Sequence, residues 1–161
     1  MFIIEELKKY NNENLAIFVD MDGVVADYRF GEGTNIKNNV EGVYLNKRPI
    51  KTSIDIIKKI NEEISDNIYI LSSCYFKEQS DEKNKWLDKN MPFIKNNKRI
   101  FVMSNDFDSR KKLKIEYLNQ YLNANSDKKI VLIDDTHEIL FLAIKEFGDN
   151  VIPIHVITLF D

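Results

Sequence analysis

The sequence predicts an α/β fold: a Rossmann-like three-layer α/β/α domain with a mostly parallel sheet. Three observations carry this. Apolar runs of four to seven residues recur along the chain, and they are unbroken, as in strands covered on both faces. Segments with apolar residues at helical spacing separate them. Turn formers are scarce, with 5 Gly and 3 Pro in 161 residues, so connections must be helices or short loops built from Asn, Asp and Ser.

In order, Leu15–Val19 (LAIFV) is the first strand and runs into Asp20. Thr52–Glu63 is a helix with Ile54, Ile57 and Ile60 on one face and Thr52 or Ser53 as its cap. Ile68–Leu71 is the second strand and ends in Ser72 and Ser73. Ser80–Asn90 is helical, carries Trp86 and Leu87, and is stopped by Pro92. Ile100–Met103 is a strand ending in Ser104, Asn105 and Asp106. Ser109–Asn123 is a helix with Tyr117, Leu118 and Tyr121 inward. Ile130–Ile133 is a strand that delivers Asp134 and Asp135. Thr136–Phe147 is a helix terminated by Gly148. Val151–Ile157 is the last strand, where Pro153 indicates an edge. Strict alternation of strand and helix makes residues 1–161 one domain with right-handed crossovers.

Composition excludes several classes. A net charge of −3 is not that of a strongly basic nucleic-acid binder. One cysteine, Cys74, rules out a disulfide framework within the chain and suits a reducing, cytoplasmic setting. With two histidines there are few ligands for zinc. The apolar start Met1–Ile4 is too short for a secretory signal, and no segment has the ~20 apolar residues of a membrane span.

Ligands of open α/β sheets bind beyond the carboxyl ends of the strands. Those ends carry Asp20, Ser72 and Ser73, Asp106, and Asp134 with Asp135. Carboxylates gathered there repel one another, and a hard cation such as Mg²⁺ relieves the repulsion. The blander readings are a strand-end turn for Asp20 and Asp22, and helix capping for Asp134 and Asp135. Asp106 and Asp108 read as loop or capping residues, and Cys74 as a small packing residue. His137 reads as a surface residue, His155 as structural, and Trp86 and the helical tyrosines as core.

The segment FVDMDGVVADY, residues 18–28, resembles the first motif of the haloacid dehalogenase-like (HAD) phosphohydrolases. Ser72, Lys114 and the Asp134–Asp135 pair match the second, third and fourth motifs in family order. The resemblance implies Asp20 as the nucleophile that forms an aspartyl-phosphate and Asp22 as general acid and base. It implies Mg²⁺ held by Asp20, Asp22 (through its carbonyl), Asp134 and Asp135. Gly23 would turn the backbone beneath the phosphate, Ser72 would hydrogen-bond it, and Lys114 would supply positive charge. Ser73 is the rival of Ser72, since alternation points the two oppositely. Lys111 and Lys112 are the rivals of Lys114.

In this family an inserted cap commonly sets specificity, and here only residues 28–52 stand at the first insertion point, a small cap or ordered loop. Tyr28, Phe30, Tyr44, Lys47 and Arg48 are its candidate substrate contacts. Residues 18–28, Arg48–Ile50, Lys85–Leu87 and VLIDD are similar to the 5′(3′)-deoxyribonucleotidase group. Asp108–Lys111 and VLIDDT are similar to the phosphatase half of phage polynucleotide kinase. The implied partner is a small phosphorylated substrate, a nucleotide first, with a nucleic-acid 3′-phosphate end or another phosphometabolite as alternatives. Readings from other classes are a phosphorylated receiver domain and a non-catalytic HAD-like binding protein. Motif order opposes the receiver, whose acid pair would follow the first strand.

Overall fold

The computed structural model describes residues 2–10, 14–29 and 31–161. Five parallel strands form one sheet in the order β3-β2-β1-β4-β5. They are β1 (Asn14–Val19), β2 (Ile68–Cys74), β3 (Arg99–Met103), β4 (Lys128–Asp134) and β5 (Val151–His155). The helices are α1 (Phe2–Lys8), α2 (Glu32–Lys37), α3 (Lys51–Glu63), α4 (Lys77–Asn90), α5 (Phe107–Ala124) and α6 (His137–Phe147). Pro153 lies on β5, an edge strand, as the sequence predicts.

Apolar runs become strands here because each alternate side chain meets a different helical layer. Leu15, Ile17 and Val19 of β1 face a core that includes Ile57 and Ile60 of α3 and Trp86 and Leu87 of α4. Ala16 and Phe18 face Leu118 of α5 and Ile139, Leu140 and Ala143 of α6. Phe18 is stacked on Tyr69, ring centroids 4.7 Å apart, and is edge-on to Tyr121 at 5.0 Å. Both faces are dry, so no residue of the strand has a polar side to turn to water.

Two helices lie outside the sequence expectations. The N-terminal segment forms α1, which buries Ile3, Ile4 and Leu7; seven residues are too few for periodicity to declare a helix. The insertion contains α2, six residues long. Chain leaves and re-enters the core through a short antiparallel pairing. Asp27 N–H donates to the Arg48 carbonyl at 2.9 Å, and Ile50 N–H to the Val25 carbonyl at 2.8 Å. Among the described residues no helix is long and apolar enough to cross a membrane.

Connections from β1 run outward to β2 and β3 on one side, while β4 and β5 lie on the other. The order therefore reverses between β1 and β4, and a crevice opens beyond their carboxyl ends at this switch point.

Candidate active site

Asp20 and Asp134 end the two strands that flank the crevice. Val19 pairs in register with Ile133, so the next residues, Asp20 and Asp134, stand side by side. Asp134 continues the face of Ile130 and Leu132, and Asp20 that of Ala16 and Phe18, which is the face covered by α5. From α5, Lys114 reaches both: its Nζ lies 3.0 Å from Asp20 Oδ1 and 2.9 Å from Asp134 Oδ2. All three side chains are buried.

Burial pushes the Asp20 carboxyl up to about 7; Lys114 opposes that, and Asp134 and Asp22 add to it. Burial depresses Lys114, but Asp20 and Asp134 outweigh it and hold the ammonium well above its usual range. Burial, with Asp134 beside it, also raises Asp135.

Carboxylate oxygens of Asp20, Asp134 and Asp135 all lie within 4.8 Å of one another. That is close to the ~4.2 Å separating opposite oxygens around Mg²⁺, and the donor set is all hard oxygen. Gly23 makes the convergence possible. Its φ is +78°, and a Cβ there would fall 2.2 Å from Asp135 Oδ2. The three carboxylates thus fit a small divalent cation. Asp134 Oδ1 also accepts from Thr136 N–H at 2.9 Å; this closes a turn ahead of α6, whose own first turn has no side-chain cap, so the helix-capping reading of Asp134 does not hold.

Asp135 has a further support that sequence reading did not find. The His155 ring contacts the Asp135 carbonyl through Nε2 at 3.0 Å, and its Nδ1 accepts from Ile157 N–H at 3.3 Å. An accepting Nδ1 places the proton on Nε2, which donates to the carbonyl. His137 stacks on His155 with centroids 4.2 Å apart.

Asp22 is held from the opposite layer. Lys83 of α4 is fully buried and donates to Asp22 Oδ2 at 2.6 Å, Ser72 Oγ at 2.9 Å and the Ser73 carbonyl at 2.7 Å. All three ammonium protons are spent. Lys47 Nζ stands 3.5 Å from Asp22 Oδ1, which has no hydrogen-bond partner of its own. Burial pushes Asp22 up, but Lys83 and then Lys47 outweigh it and hold the carboxyl below its ordinary value.

Strand parity decides the placing of the two serines. Ser72 shares the face of Ile68 and Ile70 and points at α4, where it is buried against Lys83. Ser73 lines the cleft with Asp20, Asp22, Lys114 and Asp135. Of the three candidate lysines, Lys112 is exposed and Lys111 is paired with Glu138 and Asp108, so Lys114 alone contacts the acids at the strand ends.

The cleft measures about 720 Å³. Its outer wall is the insertion, tied to α4. Glu82 accepts from Gly42 N–H and Tyr44 N–H at 2.6 and 2.9 Å, Gln79 donates to the Ile36 carbonyl at 2.6 Å, and Trp86 Nε1 to the Lys47 carbonyl at 2.9 Å. Tyr28 and Tyr44 line the cleft. Neither Lys47 nor Arg48 lines the cleft. Lys47 is buried and spent on Glu32 at 2.6 Å and Asp22; Arg48 is exposed and pairs with Asp27 at 3.0 Å. Phe30 lies outside the described residues. Asp106 caps α5 by accepting from Ser109 N–H at 2.7 Å, and Cys74 is buried, its thiol pushed up by burial.

A five-stranded parallel sheet with helices on both sides puts the chain in the Rossmann-like class of α/β folds, and an acidic cluster stands at its switch point. More particularly, the fold is similar to that of a solved haloacid dehalogenase-like hydrolase. A haloacid dehalogenase-like hydrolase from Burkholderia xenovorans LB400, so named provisionally, superposes with a TM-score of 0.58. The match covers 88% of this chain and 81% of the other at 11% identity. No known family profile and no curated protein sequence matches the chain.

Proposed function

We propose that this protein is a Mg²⁺-dependent phosphomonoesterase that acts on a nucleotide through an aspartyl-phosphate. The observation that carries the reading is the convergence of Asp20, Asp134 and Asp135 around one point with Lys114 beside them. Asp20 attacks phosphorus as the ester P–O bond breaks, and the leaving oxygen takes a proton by way of Asp22. Water then attacks phosphorus and passes its proton to Asp22, which frees phosphate and restores Asp20. Lys83 and Lys47 keep Asp22 a carboxylate at rest, so the first proton arrives on the substrate monoanion, whose second pKa is ~6. The Asp22 Oδ1, without a hydrogen bond, is the oxygen free to carry it. Asp20, Asp134, Asp135 and the Asp22 carbonyl would hold Mg²⁺, which neutralises charge on the nucleophile and the phosphoryl oxygens.

A nucleotide is favoured by the flat, half-exposed rings of Tyr28 and Phe107 on the cleft wall, which offer stacking surfaces to a base. The similarity of residues 18–28 to the deoxyribonucleotidase group points the same way. Purified protein should release phosphate from an aryl phosphate with Mg²⁺, nucleoside monophosphates being better substrates. Asp20→Asn should abolish release, and an equally active variant would reject the nucleophile.

A further inference from the structure

Five basic residues are buried in this protein among the described residues: Lys47, Lys83, Arg110, Lys111 and Lys114. Four of them have carboxylate partners within 4 Å, namely Glu32, Asp22, Glu138 and Asp20 respectively. Arg110 has none. Its Nη1 donates to the Ser104 carbonyl at 3.0 Å and its Nη2 to Tyr75 Oη at 3.1 Å. The guanidinium carbon lies 4.0 Å from the Tyr75 ring centroid. Asp108, the nearest acid in sequence, pairs with Lys111 at 2.8 Å, and Asp106 accepts from Ser109 N–H, acting on Arg110 only from a distance. A buried guanidinium with no carboxylate in contact costs several kcal/mol unless something compensates it; the Tyr75 and Phe107 rings do so in part, and Arg110 lines the cleft.

We propose that Arg110 binds a second anionic group of the substrate, a phosphate or phosphodiester next to the phosphoryl group that is transferred. The inference rests on the phosphatase reading and names the substrate class of the same cleft. Placement separates the two anions. Arg110 and Lys114 are four residues apart on one face of α5, ~6 Å along its axis. Lys114 touches the nucleophile. Since α5 begins at the carboxyl edge of the sheet, Arg110 lies one turn nearer the mouth than Lys114. Only two of its five N–H donors are used, and the planar fork suits paired phosphate oxygens. Tyr75 stacks against it and fixes the plane, so little rotamer freedom is lost when an anion docks.

The test compares a nucleoside 3′-monophosphate, the matching 3′,5′-bisphosphate and a 3′-phosphorylated dinucleotide, in wild type, Arg110→Met and Arg110→Lys. Met keeps the packing on Tyr75 without charge, and melting temperatures check that each variant folds. The wild type should prefer the doubly anionic substrates in kcat/KM by about 10- to 100-fold, as for one charge-assisted hydrogen-bonding pair. Arg110→Met should lose that preference through KM, the doubly anionic substrates falling by more than the monophosphate, and Arg110→Lys should keep part of it. A dinucleotide ahead of the bisphosphate identifies the second anion as a diester, and the reverse as a terminal phosphate; either supports the subsite. No preference in the wild type, or equal losses on every substrate in Arg110→Met, overturns it. If nothing is hydrolysed with Mg²⁺, the phosphatase reading fails by itself. Calorimetric binding of the same ligands then decides the subsite, with Arg110-dependent tightening for it and equal affinities against it.

Discussion

Lys114 bridges Asp20 and Asp134, 3.0 Å from one and 2.9 Å from the other, and so ties the ends of the two strands at the switch point together. It supplies the positive charge in contact with two buried acids on neighbouring strands. Lys114→Met should therefore cost stability, about 3 kcal/mol or more, because an unpaired charge stays buried. Turnover should fall by about 10²- to 10³-fold, as when one charge-stabilising donor is lost. Steady-state kinetics with urea melts reads both. Near-wild-type turnover would remove Lys114 from the chemistry and leave it a structural brace.

The metal-free protein should lose stability as pH rises. Burial lifts Asp20 in the folded chain to about 7 from 3.8, so between these values the folded state binds the extra proton. Stability then falls with increasing pH across that window and levels off above it. Asp20→Asn cannot ionise and should flatten this slope, which makes the variant more stable than wild type at pH 8 without metal. Mg²⁺ should also flatten it, since the cation favours the ionised carboxylate. Melting temperatures from pH 4 to 8, with EDTA and with Mg²⁺, measure the effect. A rise in wild-type stability across the window with EDTA would contradict the burial argument.

The sheet was legible because β1, β2, β3 and β4 read as unbroken apolar runs that stop abruptly at Asp or Ser. Asp20 and Asp134 could be placed together because parallel strands end at one edge. Lys83 could not be found this way. It stands in the charged run KEQSDEKNK of α4, which reads as a solvated face, yet it is fully buried. Its burial depends on three partners from β2 and the Asp22 turn, all distant in sequence. The orientations of Ser72 and Ser73 follow from strand parity, but motif position alone favours the one that points to α4. Lys47 illustrates the converse: a cation in an insertion looks like a substrate contact, and only the fold shows Glu32 and Asp22 already holding it. Helices α1 and α2, at seven and six residues, owe their existence to packing rather than to pattern.

Gly23→Ala tests the acidic cluster from its floor. The new methyl would sit 2.2 Å from Asp135 Oδ2, and φ of +78° is strained for alanine. Asp135 must move away, so Mg²⁺ affinity should fall by about tenfold or more, as when a supporting contact of a metal ligand is lost. The backbone strain should cost about 1–2 kcal/mol in the melt. Titration of activity against Mg²⁺ distinguishes this from simple destabilisation. If Asp135 is a ligand, excess Mg²⁺ restores much of the rate, whereas an unchanged Mg²⁺ requirement would take it out of the cation site.

Lys83 makes the sharpest separation between holding a fold and holding a catalytic group. It donates to Asp22 Oδ2 at 2.6 Å and to Ser72 and Ser73 as well, so Lys83→Met strands a buried carboxylate and should cost about 3 kcal/mol or more. A structural loss alone would leave the pH profile of the surviving folded enzyme unchanged. With Lys83 gone, however, only Lys47, at 3.5 Å, still favours the charged form of Asp22 against burial. The Asp22 carboxyl should move upward and hold its own proton to higher pH. The falling alkaline limb of kcat/KM, set in the wild type by the substrate monoanion, should shift to higher pH in Lys83→Met even as the maximum drops. Lys83→Arg, which keeps the charge but cannot place three compact donors, should leave the limb where it is and lose rate. Profiles collected at saturating Mg²⁺ on folded protein make the comparison, and a coincident alkaline limb in wild type and Lys83→Met would show that Asp22 carries no proton in the rate-limiting step.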